Sequence, residues 1–152
     1  MKRLYIFTAL LCICTLFAHA QHSLFDKYAD EKGISSVYIS KAMLSMMADS
    51  EVGGFNLKGI ADKLESIQVL SSEKPTLMER LGKEAADNFT PKNGYESLVR
   101  VRDEGERTDI FLKKHRDGLN EFVVLTGEKM ELTLVIITGR LTQQDVQGIM
   151  GK

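Results

Sequence analysis

Apolar and polar residues recur along this chain at two periods, and the change from one to the other falls near Tyr95. Upstream the spacing is mostly helical. Ser23 can cap a short helix in which Leu24, Phe25, Tyr28 and Ala29 share a face before Gly33 stops it. Val37 and Ile39 alternate with Tyr38 and Ser40 as a brief strand would, and Ala42, Met43, Leu44, Met46 and Met47 then crowd one side of a second short helix. Gly53 and Gly54 break it. A third helix is expected after Asn56, because Leu57, Ile60, Ala61 and Leu64 fall at i, i+3, i+4 and i+7. Ile67 to Leu70 reads as a strand. Ser71-Ser72 opens a longer helix with Leu77, Met78, Leu81, Ala85 and Phe89 inward, ended by Pro91, Asn93 and Gly94.

Beyond Tyr95 the period is 2, which predicts strands over 96–102, 107–114, 120–126 and 129–138. Asp103-Glu104-Gly105, His115-Arg116-Asp117-Gly118 and Gly127-Glu128 separate them at hairpin spacing. In the last strand Met130, Leu132, Leu134 and Ile136 face one way, and Glu131 and Thr133 the other. Thr142 caps a short closing helix presenting Val146, Ile149 and Met150. The expected class is α+β: a mostly antiparallel sheet, made of the C-terminal four-stranded meander plus one or two N-terminal strands, with helices packed on one face.

The first twenty residues need a different reading. Lys2 and Arg3 precede an apolar run from Leu4 to Phe17, and Ala18-His19-Ala20 supplies small residues where a signal peptidase cuts. Cleavage is expected after Ala20, which divides the chain into a signal peptide, 1–20, and a single domain, 21–152. The apolar run is shorter than the ~20 residues that span a bilayer, so no transmembrane segment is expected after cleavage. Cys12 and Cys14 follow Leu11 and Ile13 rather than the small residue that lipidation requires. Both leave with the signal. The product has no thiol, which excludes disulfides, thiolate metal sites and cysteine nucleophiles, and it carries 18 basic residues against 21 acidic ones.

Composition narrows the partners further. The 152 residues carry a net charge of −1 with no Lys/Arg-rich block, so nucleic acid is not an expected partner. No nucleophile elbow, phosphate loop, dinucleotide fingerprint, zinc-protease motif or EF-hand loop occurs. His22 and His115 are the two histidines left after cleavage, too few for a zinc site built on them. Asp103, Glu104, Glu106 and Asp109 could hold calcium, but Arg102 and Arg107 would compete for those carboxylates, and a solvated hairpin tip is the better reading. Met43, Met46 and Met47 offer soft ligands for copper(I), yet their spacing suits core packing. No cofactor, metal or catalytic residue is expected.

The exported start ending in A-x-A-Q, V-Y-I-S-K-A-M at Val37–Met43, L-E-S-I-Q-V-L-S at Leu64–Ser71, and the F-V-V-L-T-G and L-T-L-V-I-I-T-G-R-L segments of the meander together carry a family likeness. The chain resembles domain-of-unknown-function family 4252, small exported proteins found chiefly in Bacteroidota. That resemblance implies a Gram-negative envelope setting and brings no activity or functional residues with it.

Two functions follow as expectations. The first is a non-catalytic periplasmic or secreted protein, a sensor or accessory module that binds another envelope protein through one sheet face or its edge. Val135 and Ile137 continue apolar character onto the outer face of the last strand and form the candidate surface, although a covering helix would explain them as well. The second is a carrier of a small apolar ligand or lipid, with Met43, Met46 and Met47 walling its pocket.

Overall fold

The computed structural model describes residues 23–47, 51–52, 55–142 and 144–145, with backbone alone at 51–52 and 55–56. The expected signal segment 1–20, the Gly53-Gly54 break and the closing-helix residues Val146, Ile149 and Met150 lie outside the described residues. Helix α1 is Leu24–Tyr28, capped by Ser23, whose Oγ accepts from the Asp26 N–H at 3.1 Å. Strand β1, Ser35–Ser40, ends on the residue that caps helix α2, Lys41–Met46. Two-residue strands β2, Glu51–Val52, and β3, Phe55–Asn56, pair with each other. Then follow a 3-10 turn, Ala61–Lys63, strand β4, Leu64–Ser72, and helix α3, Pro75–Asn88. A second 3-10 turn, Pro91–Asn93, leads into β5, Tyr95–Asp103, β6, Glu106–Lys114, β7, Asn120–Gly127, and β8, Leu132–Gly139.

Six strands form one antiparallel sheet in the order β1-β4-β8-β7-β6-β5. The fold is α+β and the C-terminal strands are the expected meander. Helix α3 carries the chain from β4 to the opposite edge, after which each hairpin steps back towards β4. The β5–β6 turn is tight because Glu104 and Gly105 both have positive φ, 42° and 94°, as a two-residue hairpin loop of this hand requires.

Each face of the sheet carries a core. On one, α1 and α3 cover Leu70, Phe111, Val123, Leu125, Leu132, Leu134 and Ile136, with Tyr28, Leu81, Ala85 and Phe89 pressed onto them. On the other, Leu44 of α2 and Leu57, Ile60 and Ala61 cover Ile67, Leu112, Phe122, Val135 and Ile137. Helical structure therefore lies on both faces, with the two elements of the first core, α1 and α3, on the expected one. The alternation of strand side chains makes this necessary, since β4, β8 and β7 are apolar on both sides and must be covered twice.

Several boundaries differ from the periodicity. Leu57, Ile60, Ala61 and Leu64 are all buried as the helical pattern demands, but turns and a 3-10 segment bury them, not an α-helix. Gly59 is the reason: its φ of 79° is left-handed and interrupts any α-helix there, while Leu64 is drawn into β4 opposite Gly139. Helix α3 starts at Pro75 because Ser72 is still pairing with Leu132. The Ser72 hydroxyl donates to the Gly33 carbonyl at 2.8 Å and accepts from the Lys74 N–H at 3.2 Å, fastening the strand end before the helix begins. Met130 lies in the turn before β8 and is exposed.

Candidate functional site

Strand β5 is the far edge of the sheet, nine residues long, and all but its first residue are exposed. A register shift between Ser97 and Val99 leaves Leu98 without a cross-strand partner and reverses the alternation beyond it. Tyr95 and Ser97 thus face the α3 side, and so do Arg100 and Arg102, which lie opposite Asp109 and Arg107. Val99 and Val101 point to the other face, opposite Ile110 and Thr108, and are 39% and 49% exposed. The opposite edge is shorter and partly shielded. There the Ser36 hydroxyl of β1 donates to the Ala29 carbonyl at 2.8 Å, and Tyr38 lies 6.3 Å from Phe25, ring to ring.

Two recesses open on the α3 face, either side of Phe89 and Tyr95. The larger, about 620 Å³, lies over the sheet end where Ser66, Thr138, Glu121, Lys113 and Tyr95 stand side by side across five strands. Asn88, Lys92 and Asn93 form its rim. The Tyr95 hydroxyl donates to Glu121, whose other oxygen lies 3.7 Å from His115 Nε2. Lys113 Nζ sits 5.0 Å from the centre of the Tyr95 ring. Burial, and then the Glu121 carboxylate, push the Tyr95 phenol above its ordinary range. Tyr95 is therefore a hydrogen-bond donor at neutral pH and not a base.

The second recess, about 420 Å³, is bounded by Gly82 and Ala86 of α3, Thr90, Ser97, Phe111, Leu125 and the charged group Arg100, Arg102, Arg107 and Asp109. Asp109 is buried, and both its carboxylate oxygens accept from Arg102 Nη2 at 2.9 Å. Arg100 Nε is 3.3 Å from the same group. Asp109 is thus a structural counter-ion within β6, well away from the exposed tip at Glu104. The four carboxylates do not converge, and among the described residues no group of three His, Cys, Asp or Glu side chains is placed to hold a metal ion.

The residues expected to be functional lie elsewhere. Val135 and Ile137 do not form an accessible surface: they are 7% and 4% exposed and belong to the core that includes Leu44 of α2. The covering helix is the reading the structure supports, because β8 is central and is packed on both sides. Met43, Met46 and Met47 do not wall either recess. Met46 is 83% exposed, Met43 is exposed, and Met47 only fringes the second core, whose buried member from this helix is Leu44. Sequence alone assigned Arg102 and Arg107 no role but competition for calcium ligands, and it did not single out Glu121. A glycine inside α3 was the available signal, since it costs helix stability unless something approaches closely.

Fold and recesses define a class: a six-stranded antiparallel α+β fold whose edge strand β5 is uncovered by the other described residues and is flanked by two recesses. Within that class the chain belongs to the domain-of-unknown-function family DUF4252, whose family model matches residues 28–149. No curated protein and no solved structure matches the chain. Among the described residues no helix is long and apolar enough to cross a membrane.

Proposed function

We propose that this chain is an exported, non-catalytic binding module of the periplasm or extracellular space that pairs an extended segment of another envelope protein along β5. The export half of the reading rests on Lys2, Arg3, the apolar run from Leu4 and the Ala18-His19-Ala20 triplet, with residues 21–152 as the working domain. The observation that carries the binding half is the edge itself. Natural sheets often shorten or cover their edges, whereas β5, bulged only at Leu98, offers a nine-residue strand whose Leu98, Val99 and Val101 are open to solvent.

The occupant is defined by chemistry. An added strand would place apolar side chains beside Val99 and Val101 on one face and acidic ones beside Arg100 and Arg102 on the other, so alternating acidic and apolar residues fit. The larger recess is walled mainly by hydroxyl, amide and charged groups, and the smaller one carries three arginines and Asp109 beside its apolar wall, which disfavours the alternative of an apolar-ligand carrier.

The test is a photo-cross-linker at Val101 in the natural host, with a second at Met46 as control. A discrete adduct from Val101 alone, mapped to an extended segment and lost when Val99→Lys is added, supports the reading. Equal labelling from both positions, or none, refutes it. Intact-mass analysis of the same material tests export, which fails if Met1 is still attached.

A further inference from the structure

The recess beside α3 has more positive charge than its own carboxylate can neutralise. Asp109 takes Arg100 and Arg102, and no ion pair or side-chain hydrogen bond joins Arg107 to any described residue. Arg107 is nonetheless only half exposed. Its side chain lies between α3 and β7 in a slot that two glycines keep open. A Cβ at Gly82 would sit 2.7 Å from Arg107 Nη2, and one at Gly127 would sit 2.9 Å from Nε. A half-buried charge without a counter-ion is costly, and proteins generally pair it or expose it. Here it is held in place by close packing, with its donors left free.

We propose that this recess binds a small dianionic oxyanion, a phosphate monoester or a dicarboxylate, with Arg107 as its principal ligand and Arg100 and Arg102 at the rim. Three guanidinium groups against one carboxylate leave two positive charges on the wall, which matches a dianion and not a monoanion. Planar guanidinium groups present paired donors at the spacing of carboxylate and phosphate oxygens. Thr90 and Ser97 line the same space and supply hydroxyls. The end of α3 would oppose an anion through its free carbonyls, but most of these are occupied. Asn88 Nδ2 donates to the Glu84 carbonyl at 2.8 Å, the Phe89 N–H to Ala85 at 2.9 Å, and Asn93 Nδ2 to Asn88 at 2.8 Å and Asp87 at 3.4 Å. Arg107 lies on β6, so binding through it does not require that β5 recruit a partner strand.

Amide NMR titration at constant ionic strength tests the proposal, with inorganic phosphate, succinate and acetate as probes. Phosphate or succinate should shift the Gly82 and Gly127 signals saturably, with acetate at least about tenfold weaker. Arg107→Met should lower affinity about tenfold or more, and Arg107→Lys should retain part of it. Lys41→Ala, on α2 at the opposite face, should leave binding unchanged. Gly82→Ala fills the slot without removing any charge, so it should weaken binding in a folded protein and decides the matter if Arg107→Met does not fold. No saturable shift up to about 50 mM, equal affinity for acetate, wild-type binding by a folded Arg107→Met, or, where that variant does not fold, wild-type binding by Gly82→Ala would overturn the assignment.

Discussion

Gly139→Ala is expected to destabilise the protein more than most single methyl additions. Gly139 closes β8, opposite Leu64 on one side and Asn120 on the other. An added Cβ would lie 2.5 Å from the Lys63 carbonyl oxygen and 3.0 Å from Leu64 Cα. Ordinary contact begins at 3.4 Å, so the first of these must open by about 0.9 Å. Both obstructions are backbone atoms at the junction of the 3-10 turn and β4, where Leu64 is fully buried and cannot swing aside. The same Lys63 oxygen accepts from the Arg140 N–H at 2.8 Å, and a shift of that size would break the bond. Losing the hydrogen bond costs about 1 kcal/mol, and local overpacking adds roughly 1–3 kcal/mol. The reduced entropy of the unfolded chain returns about 0.5–1 kcal/mol. The net loss is about 1–3.5 kcal/mol, or a fall in Tm of roughly 3–14 °C for a domain of this size. Urea unfolding with an unchanged m value would measure it. Gly82→Ala is the contrast, because its obstruction is the movable end of Arg107 and its helix gains from alanine, so it should stay within about 1 kcal/mol of the parent. A Gly139→Ala protein within about 0.5 kcal/mol of the parent would refute the reasoning.

Other substitutions separate packing from charge. The buried Tyr28 hydroxyl makes no hydrogen bond of good geometry, although Glu84 and Arg80 act on it, so Tyr28→Phe should change stability by less than about 1 kcal/mol in thermal unfolding; a larger loss would show that the hydroxyl is firmly bonded. The Asp145 carboxyl is held down to about 2 by Lys63, at 2.7 Å, and then by Thr142. A depressed native pKa adds stability above the unfolded value of 3.8 that is lost as pH falls through about 2. Asp145→Asn should therefore flatten the stability profile across that window, and an identical acid slope in both proteins would exclude the linkage. Met46→Ser should change stability by less than about 0.5 kcal/mol, since the side chain is exposed; a larger loss in urea would place it in a core.

Local pattern revealed the elements, and register decided what they mean. The Asp103-Glu104-Gly105 turn was legible because only a few residues tolerate its backbone. Leu57, Ile60, Ala61 and Leu64 were correctly inward, but burial spacing cannot distinguish a helix from a turn broken by a left-handed glycine. Val135 and Ile137 show a deeper limit. Apolar residues on both faces of a strand describe an exposed patch at a sheet edge and a double core at its centre, and the chain does not state which place β8 takes. The arginine recess depends on still more distant facts: a bulge that turns Arg100 and Arg102 inward, the pairing of β5 with β6, and a helix glycine brought over Arg107 of β6.

Topology explains why both proposals meet at β5. The α3 crossover leaves the chain at the edge farthest from β1, and every later strand then adds on the inner side, so nothing among the described residues returns to cover β5. Helix α3 must lie along one face to make that crossing, and the gap between its C-terminal half and the edge hairpin becomes the recess that Arg107 occupies. An edge that needed only protection could have been shortened, as β1 is, at six residues against nine. Keeping β5 long while spending two glycines to seat an unpaired guanidinium behind it costs stability in both the strand and the helix. Both costs are what the two proposals would explain, one by a strand added along the edge and the other by an anion in the slot.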